Sequence, residues 1–415
     1  MGAVAQLRFW TRSLGFLSCL ILFDVWGSFK VFPEMYTREE SVWIEVYAGG
    51  NATRSAVSEG GASTASKPEP TFSACLLVMD DNHRLPEWLA YHYHAVNLRY
   101  VVVAVDPHST TSPSVVLERW RTRMEYEVWN DVDYRNETDR RLDSDGPGEK
   151  RVRHKKRQSD FYAACARHLQ KKQRGWTLFI DSDEYIAVNP LAHNDPGVQS
   201  KPGGLVSLLT ADDVPCRAVP RTLYSSIESS DEEIRAGVPV GFDPHRLETL
   251  RWRHRAKDRD DTDGLGKSVM QVNRMSEADF ADGGNAHRPL KSICPHPFHK
   301  YTMSVGIHHY LGSWEAYSFR DDARKGTLRS REQWERRATM DAGGADDIMR
   351  PWLAGFVESV GNDVALELLR DAGLPIDHRK DRFEEKEWKS SVKLTDNNRP
   401  VMNRQRMQRR RGVMK

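Results

Sequence analysis

The chain has 415 residues, enough for one large globular domain or two ordinary ones, and 39% of them are hydrophobic and 29% charged. That balance excludes a disordered chain and a polytopic membrane protein. Its 61 basic and 59 acidic residues leave a net charge of +2, too little to gather nucleic acid, and the arginine-rich C-terminal end lacks the interleaved aromatics of a single-strand binder.

At the N-terminus, Arg8 and Arg12 precede an apolar run from Leu14 to Phe29 that is broken by Asp24. The leading expectation is a type II signal anchor: a cytosolic tail over 1–12, a spanning helix over 13–32 and a stem over 33–71. The arginines would stay in the cytosol by the positive-inside rule. A cleaved signal peptide and a buried amphipathic segment are the alternatives. The first two place the rest of the chain in the secretory lumen, with the Golgi or endoplasmic reticulum membrane as its location. The sequons Asn51-Ala52-Thr53 and Asn136-Glu137-Thr138 are compatible with that. Cys75, Cys165, Cys216 and Cys294 allow two disulfides in any of three pairings, or buried free thiols; their spacing matches no zinc site.

Residues 48–70 are rich in Gly, Ala, Ser and Thr and read as a linker. A folded domain is expected over 72–375. Residues 74–79, 100–105, 126–129 and 176–180 read as short strands, the first a continuous apolar run suited to burial on both faces and the second buried like it. Helices are expected from Pro86 to about residue 97, from Pro113 to about 123, and around Phe161, Cys165 and Leu169. His92 and His94 fall in the first of these and read as packing residues. The hydrophilic stretch 130–150 reads as a long loop. Later, 204–210 reads as helix, 217–224 as extended, 251–266 as a charged loop and 267–272 as a strand. Helices are expected over 329–340, 346–355 and 363–372, and a charged, poorly ordered tail over 376–415.

Strands alternating with helices at this spacing predict an α/β domain with a mostly parallel sheet. Ligands of such sheets bind beyond the carboxyl ends of the strands. Acidic residues stand at three of those ends: Asp80-Asp81, Asp106 and Asp181-Ser182-Asp183. Asp181 and Asp183 alternate onto one face in extended geometry, and two converging carboxylates call for a cation between them. Mg2+ or Mn2+ would fit and would complete its shell with substrate phosphates. Near the end of the domain stands His308-His309-Tyr310-Leu311-Gly312-Ser313-Trp314-Glu315. Adjacent histidines on a strand point to opposite faces, so at most one of His308 and His309 is expected to reach that cation.

The segment from Ala74 to Asp106, the stretch from Arg157-Gln158 through Cys165 to DSDEY, the Gly266-Lys267-Ser268 segment and the late His-His-Tyr block together resemble glycosyltransferase family 92 and related family-2-like domains. The resemblance covers roughly 72–320. It implies a GT-A (Rossmann-like) fold, a UDP- or GDP-sugar donor and a glycan or glycoconjugate acceptor. By matching position it implies that Asp181 and Asp183 serve metal and donor, and that His308 or His309 completes the metal shell. Asp80, Asp81 and Asp106 would lie near the nucleoside, and Lys267 would neutralise a phosphate. An inverting transfer needs a general base; Glu315 is the first candidate, with Asp321 and Asp322 behind it. Two other readings use the same residues: a nucleotidyltransferase or phosphodiesterase, and a non-catalytic scaffold on a transferase-like fold.

Overall fold

A computed structural model describes residues 5–8, 18–23, 29–33, 70–141, 150–192, 195–256, 266–281, 283–285, 287–290, 293–294, 303–318, 329–340, 344–370, 392–394 and 400–402. The chain divides into two compact units, Met1–Ser66 and Lys67–Lys415. In the first unit β1 (Ala5–Arg8), β2 (Ser18–Phe23) and β3 (Phe29–Pro33) pair antiparallel in that order. The anchor helix expected over 13–32 is therefore replaced by strand through much of its length. The apolar run is short for a span, Asp24 interrupts it, and its Ile, Val and Phe residues favour extended backbone. Among the described residues no helix is long and apolar enough to cross a membrane.

The second unit opens with β4 (Phe72–Val78), α1 (Leu85–Ala95) and β5 (Leu98–Val105), then β6 (Glu125–Trp129), the long α2 (Lys150–Lys171) and β7 (Trp176–Phe179). These follow the apolar runs closely. The stretch read as a loop over 130–150 instead carries two one-turn helices, Asp131–Tyr134 and Glu137–Arg141, the first closed by an Asn130–Asp133 capping box. After β7 come β8 (Glu184–Val188), β9 (Cys216–Val219), β10 (Arg221–Tyr224), α3 (Glu248–Arg251) and β11 (Lys267–Gln271). The single extended segment expected over 217–224 is divided at Pro220, which cannot donate to a ladder. Its two halves join different sheets.

Two short strands, β12 (Gly283–Asn285) and β13 (Arg288–Leu290), precede β14 (Val305–Tyr310). The helices α4 (Trp314–Ser318), α5 (Arg331–Ala338), α6 (Trp352–Val360) and α7 (Asn362–Leu369) follow. The helix expected over 346–355 starts later, because Pro351 occupies its N-cap. Within the expected tail, β15 (Val392–Leu394) and β16 (Pro400–Met402) form a hairpin, and the rest lies outside the described residues.

The main sheet has the order β6-β5-β4-β7-β11-β9. β6, β5, β4 and β7 run parallel, while β11 lies antiparallel between β7 and β9. The strand order reverses between β4 and β7, which makes the crevice beyond their carboxyl ends the topological switch point. Side chains alternate between two cores: Val101 and Val103 of β5 join the core under α1 and α6, while Val102 and Ala104 join the one under α2. A second sheet, β10-β14-β8, pairs β14 antiparallel to β8 and parallel to β10. Two disulfides, Cys75–Cys165 and Cys216–Cys294, settle the pairing that the sequence leaves open. His92 and His94 are packing residues, both buried in α1; His92 receives the Ile186 amide and contacts the Trp88 carbonyl.

Candidate functional site

The DSDE segment links β7 of the main sheet to β8 of the second, so it lies where the two sheets meet at the switch point. Trp88 and Tyr91 of α1 hydrogen-bond the Glu184 and Ile186 carbonyls, holding β8 in place. The β14–β8 register sets His308 opposite Tyr185 and His309 opposite Glu184, and the Tyr310 amide donates to the Asp183 carbonyl. This pairing brings the late histidine block onto the acidic motif.

The two aspartates meet different surroundings. The Lys267 ammonium is fully buried, 2.7 Å from Asp181 Oδ2 and 3.1 Å from Glu184 Oε2. Desolvation would raise the Asp181 carboxyl, but the Lys267 charge and hydrogen bond and the His287 charge together hold it below its ordinary value, with 37% of its side-chain surface still exposed. Glu184, almost completely buried, is pushed up by desolvation despite the same lysine. Burial likewise opposes charge on Lys267, and the two carboxylates overcome it and raise its pKa. Tyr162 and Gln158 of α2 reach Asp181 Oδ1 at 3.3 and 3.4 Å. The expectation that Lys267 faces a phosphate is corrected: it is a core cation under the motif, committed to Asp181 and Glu184.

Asp183 faces the crevice. Its Oδ2 lies 3.5 Å from His309 Nε2 and 3.6 Å from Arg84 Nη1, and the Asp183 and His309 side chains keep 20% and 18% of their surface exposed. Arg84, nearly buried, is gripped by Glu248 of α3 through Nε and Nη2 at 3.0–3.2 Å. Glu87 in turn accepts from the Glu248 and Thr249 amides and the Thr249 hydroxyl. His308 points the other way. It is fully buried against Tyr224 and the Val188 carbonyl, and desolvation lowers its pKa to about 4. As a metal-ligand candidate it is therefore excluded in favour of its neighbour, as strand alternation requires.

The other acidic strand ends carry loop structure. Asp80 adopts a left-handed backbone (φ 56°), and its Oδ1 accepts from Ser109, Thr110 and Thr111 in the loop after β5. Asp81 Oδ2 accepts from the Met79 amide. Asp106 is bound at 2.9 Å by both His108 and Arg157. Burial would raise its carboxyl, and the His108 hydrogen bond and Arg157 charge bring it down to about 2. All three lie at the carboxyl edge of the sheet, engaged with protein partners. Glu315 is exposed on the first turn of α4; Asp321 and Asp322 lie outside the described residues.

Arg84, Glu184, Glu248, Tyr162 and Gln158 were not singled out by the sequence. Glu184 is the last letter of the motif and Arg84 follows Asp80-Asp81 at the first strand end, so both carried a positional signal. Glu248, far along the chain, carried none.

Asp183 and His309 fit a divalent cation. Metal–ligand bonds of about 2.1 Å leave two neighbouring ligand atoms roughly 3.0–3.5 Å apart, and a mixed carboxylate and imidazole pair suits Mn2+ better than Mg2+. Among the described residues no group of three or more His, Cys, Asp and Glu side chains is arranged to hold a metal. Asp181 shares its Oδ2 with Lys267 while keeping 37% of its side-chain surface exposed, and His308 faces the core.

No protein-family model matches the chain, and no curated protein matches it in sequence. Solved structures similar to it include a mycobacterial protein at 14% identity, with 59% of this chain and 66% of that one covered. Another is TarS 1-349 of S. aureus in complex with UDP, at 11% identity over 80% and 96% of the two chains. A third is the galactosyltransferase LgtC in complex with donor and acceptor sugar analogs, at 10% identity over 66% and 97%. The TM-score is 0.27 in each case.

Proposed function

We propose that the chain is a GT-A glycosyltransferase of the family-92-like type, moving a sugar from a UDP- or GDP-sugar to a glycan or glycoconjugate acceptor. The observation that carries this reading is the meeting of Asp183 and His309, 3.5 Å apart, at the switch point of a mostly parallel sheet. Asp183 and His309 would hold Mn2+ or Mg2+, which when bound supplies neutralisation of the charge that develops on the leaving diphosphate. Arg84, anchored by Glu248, fixes Asp183 from the other side and adds positive charge at the same point. Asp181 keeps its Oδ1 toward Tyr162 and Gln158, a polar edge suited to donor hydroxyls. Asp80, Asp81 and Asp106 shape the adjoining loop, where the nucleoside would lie. For an inverting transfer Glu315 is the acceptor-side base in this reading. The two disulfides and the exposed sequon at Asn136 support folding in an oxidising secretory compartment.

Calorimetric titration of the full chain with UDP- and GDP-sugars, with Mn2+ or with a chelator, tests the reading. Metal-dependent binding of one donor, lost in Asp183→Ala while the variant stays folded, is the expected result. A folded wild-type chain that binds no donor under either condition would remove the transferase reading.

A further inference from the structure

The loop that leaves the site along β14 runs directly over Arg84. Gly312 has φ +75°, and a Cβ there would stand 2.6 Å from Glu248 Oε1 and 2.9 Å from Arg84 Nη2. The Gly312 carbonyl accepts the Trp334 indole N–H at 3.1 Å. Trp334 is therefore tied through one hydrogen bond and one loop residue to the guanidinium that flanks Asp183. Trp314 meets it edge to face, with ring centroids 6.2 Å apart. The Arg331 guanidinium lies 4.7 Å from the Trp334 centroid and 5.2 Å from the Trp314 centroid. Its Nε donates to Glu335, and the side chain is 53% exposed.

These indoles lie outside both cores of the main sheet: they pack, partly exposed, on a small separate cluster of Leu311, Tyr317 and Ala338. The Trp334 N–H is spent on Gly312, and the half-exposed Arg331 guanidinium lies over both rings, so indole and cation are presented together.

We propose that Trp334, Trp314 and Arg331 form the seat of the acceptor, and that it takes a pyranose ring. This assignment of the role rests on the transferase reading; the binding of a sugar does not. A pyranose has an apolar C–H patch whose slightly positive hydrogens suit the negative face of an indole. Its hydroxyl rim, or a carboxylate on it, accepts from a guanidinium that presents several N–H groups in a fixed plane. A site with aromatic walls and a few placed polar groups is the usual form of a small-ligand site.

Saturation-transfer NMR on the full chain, irradiating aromatic protons, tests this with the methyl glycosides of galactose, glucose, mannose and glucuronic acid. At least one glycoside should take up saturation on its ring C–H protons, and its affinity should fall about fivefold in Trp334→Ala. No uptake by any of the four in the folded wild type, or equal affinity in Trp334→Ala, overturns the proposal. Should Trp334→Ala fail to fold, Arg331→Ala carries the test: weaker binding supports the seat and unchanged binding overturns it. Titration with UDP and Mn2+ on the same samples separates the two readings. Glycoside binding without UDP binding would remove the transferase and leave the sugar seat standing.

Discussion

Lys267 fills the space between Asp181 and Glu184 with a charge that never reaches solvent. Removing the lysine leaves the Glu184 carboxyl, 1% exposed, without its cation, while Asp181 keeps 37% of its side-chain surface in solvent, so the cost lies at the low end of that of a broken buried pair, about 3 kcal/mol. Lys267→Met should therefore lower stability by that order in urea unfolding, and pairing it with Glu184→Gln should recover part of the loss. An unchanged midpoint would show that water reaches Glu184. In sequence Lys267 reads either as a phosphate ligand or as a solvated lysine beside a flexible loop; only the placing of β11 between β7 and β9 turns it inward. The adjacent histidines illustrate the same limit. Strand alternation shows that His308 and His309 face opposite ways, but which of them faces the acidic motif depends on the β14–β8 register, set by residues more than a hundred positions apart.

At the scale of elements, legibility followed length and burial. β4, β5 and β7 are mostly apolar, with the runs 74–79 and 100–105 unbroken, and they are visible in sequence because burial on both faces favours such composition. The one-turn helices at Asp131–Tyr134 and Glu137–Arg141 were not, since four or five residues hold too little of a 3.6-residue period. Pro351 marks the start of α6, and Pro220 the break between β9 and β10, because a proline lacks the N–H that an inner helical turn or a ladder needs. α6 also explains a glycine. A Cβ on Gly355 would lie 1.9 Å from the Ser200 carbonyl oxygen, because the helix rests directly on the 3-10 turn Pro196–Ser200. Backbone cannot yield as a side chain does, so Gly355→Ala should destabilise by about 3 kcal/mol. Thermal unfolding checks this; a loss below about 0.5 kcal/mol would mean that α6 slides without cost.

For the whole molecule, the buried imidazoles set a pH dependence. Desolvation lowers His92 to about 3 and His94 and His308 to about 4, against an ordinary value of 6.5. The unfolded chain takes up these protons below pH 6.5 while the folded chain does not, so stability is complete above that pH. It is lost as pH falls from 6.5 toward the folded values. Each group contributes about 1.4 kcal/mol per pH unit within its window. Burial also raises the Glu87 carboxyl to about 7, and its proton uptake in the folded chain offsets part of this loss, so the imidazole contribution is read by difference. The melting temperature of His308→Gln should fall less steeply, or rise more steeply, than that of the wild type as pH drops from 6.5 to 4.5; identical pH slopes for the two would contradict the burial of this ring.

Cys75 lies in the middle of β4, and both it and Cys165 have no exposed surface. An oxidant or reductant can reach neither sulfur once α2 covers the sheet. Their bond is consequently a record of biogenesis: it is made while the polypeptide is still open, and afterwards it is insulated from whatever redox conditions the finished protein meets.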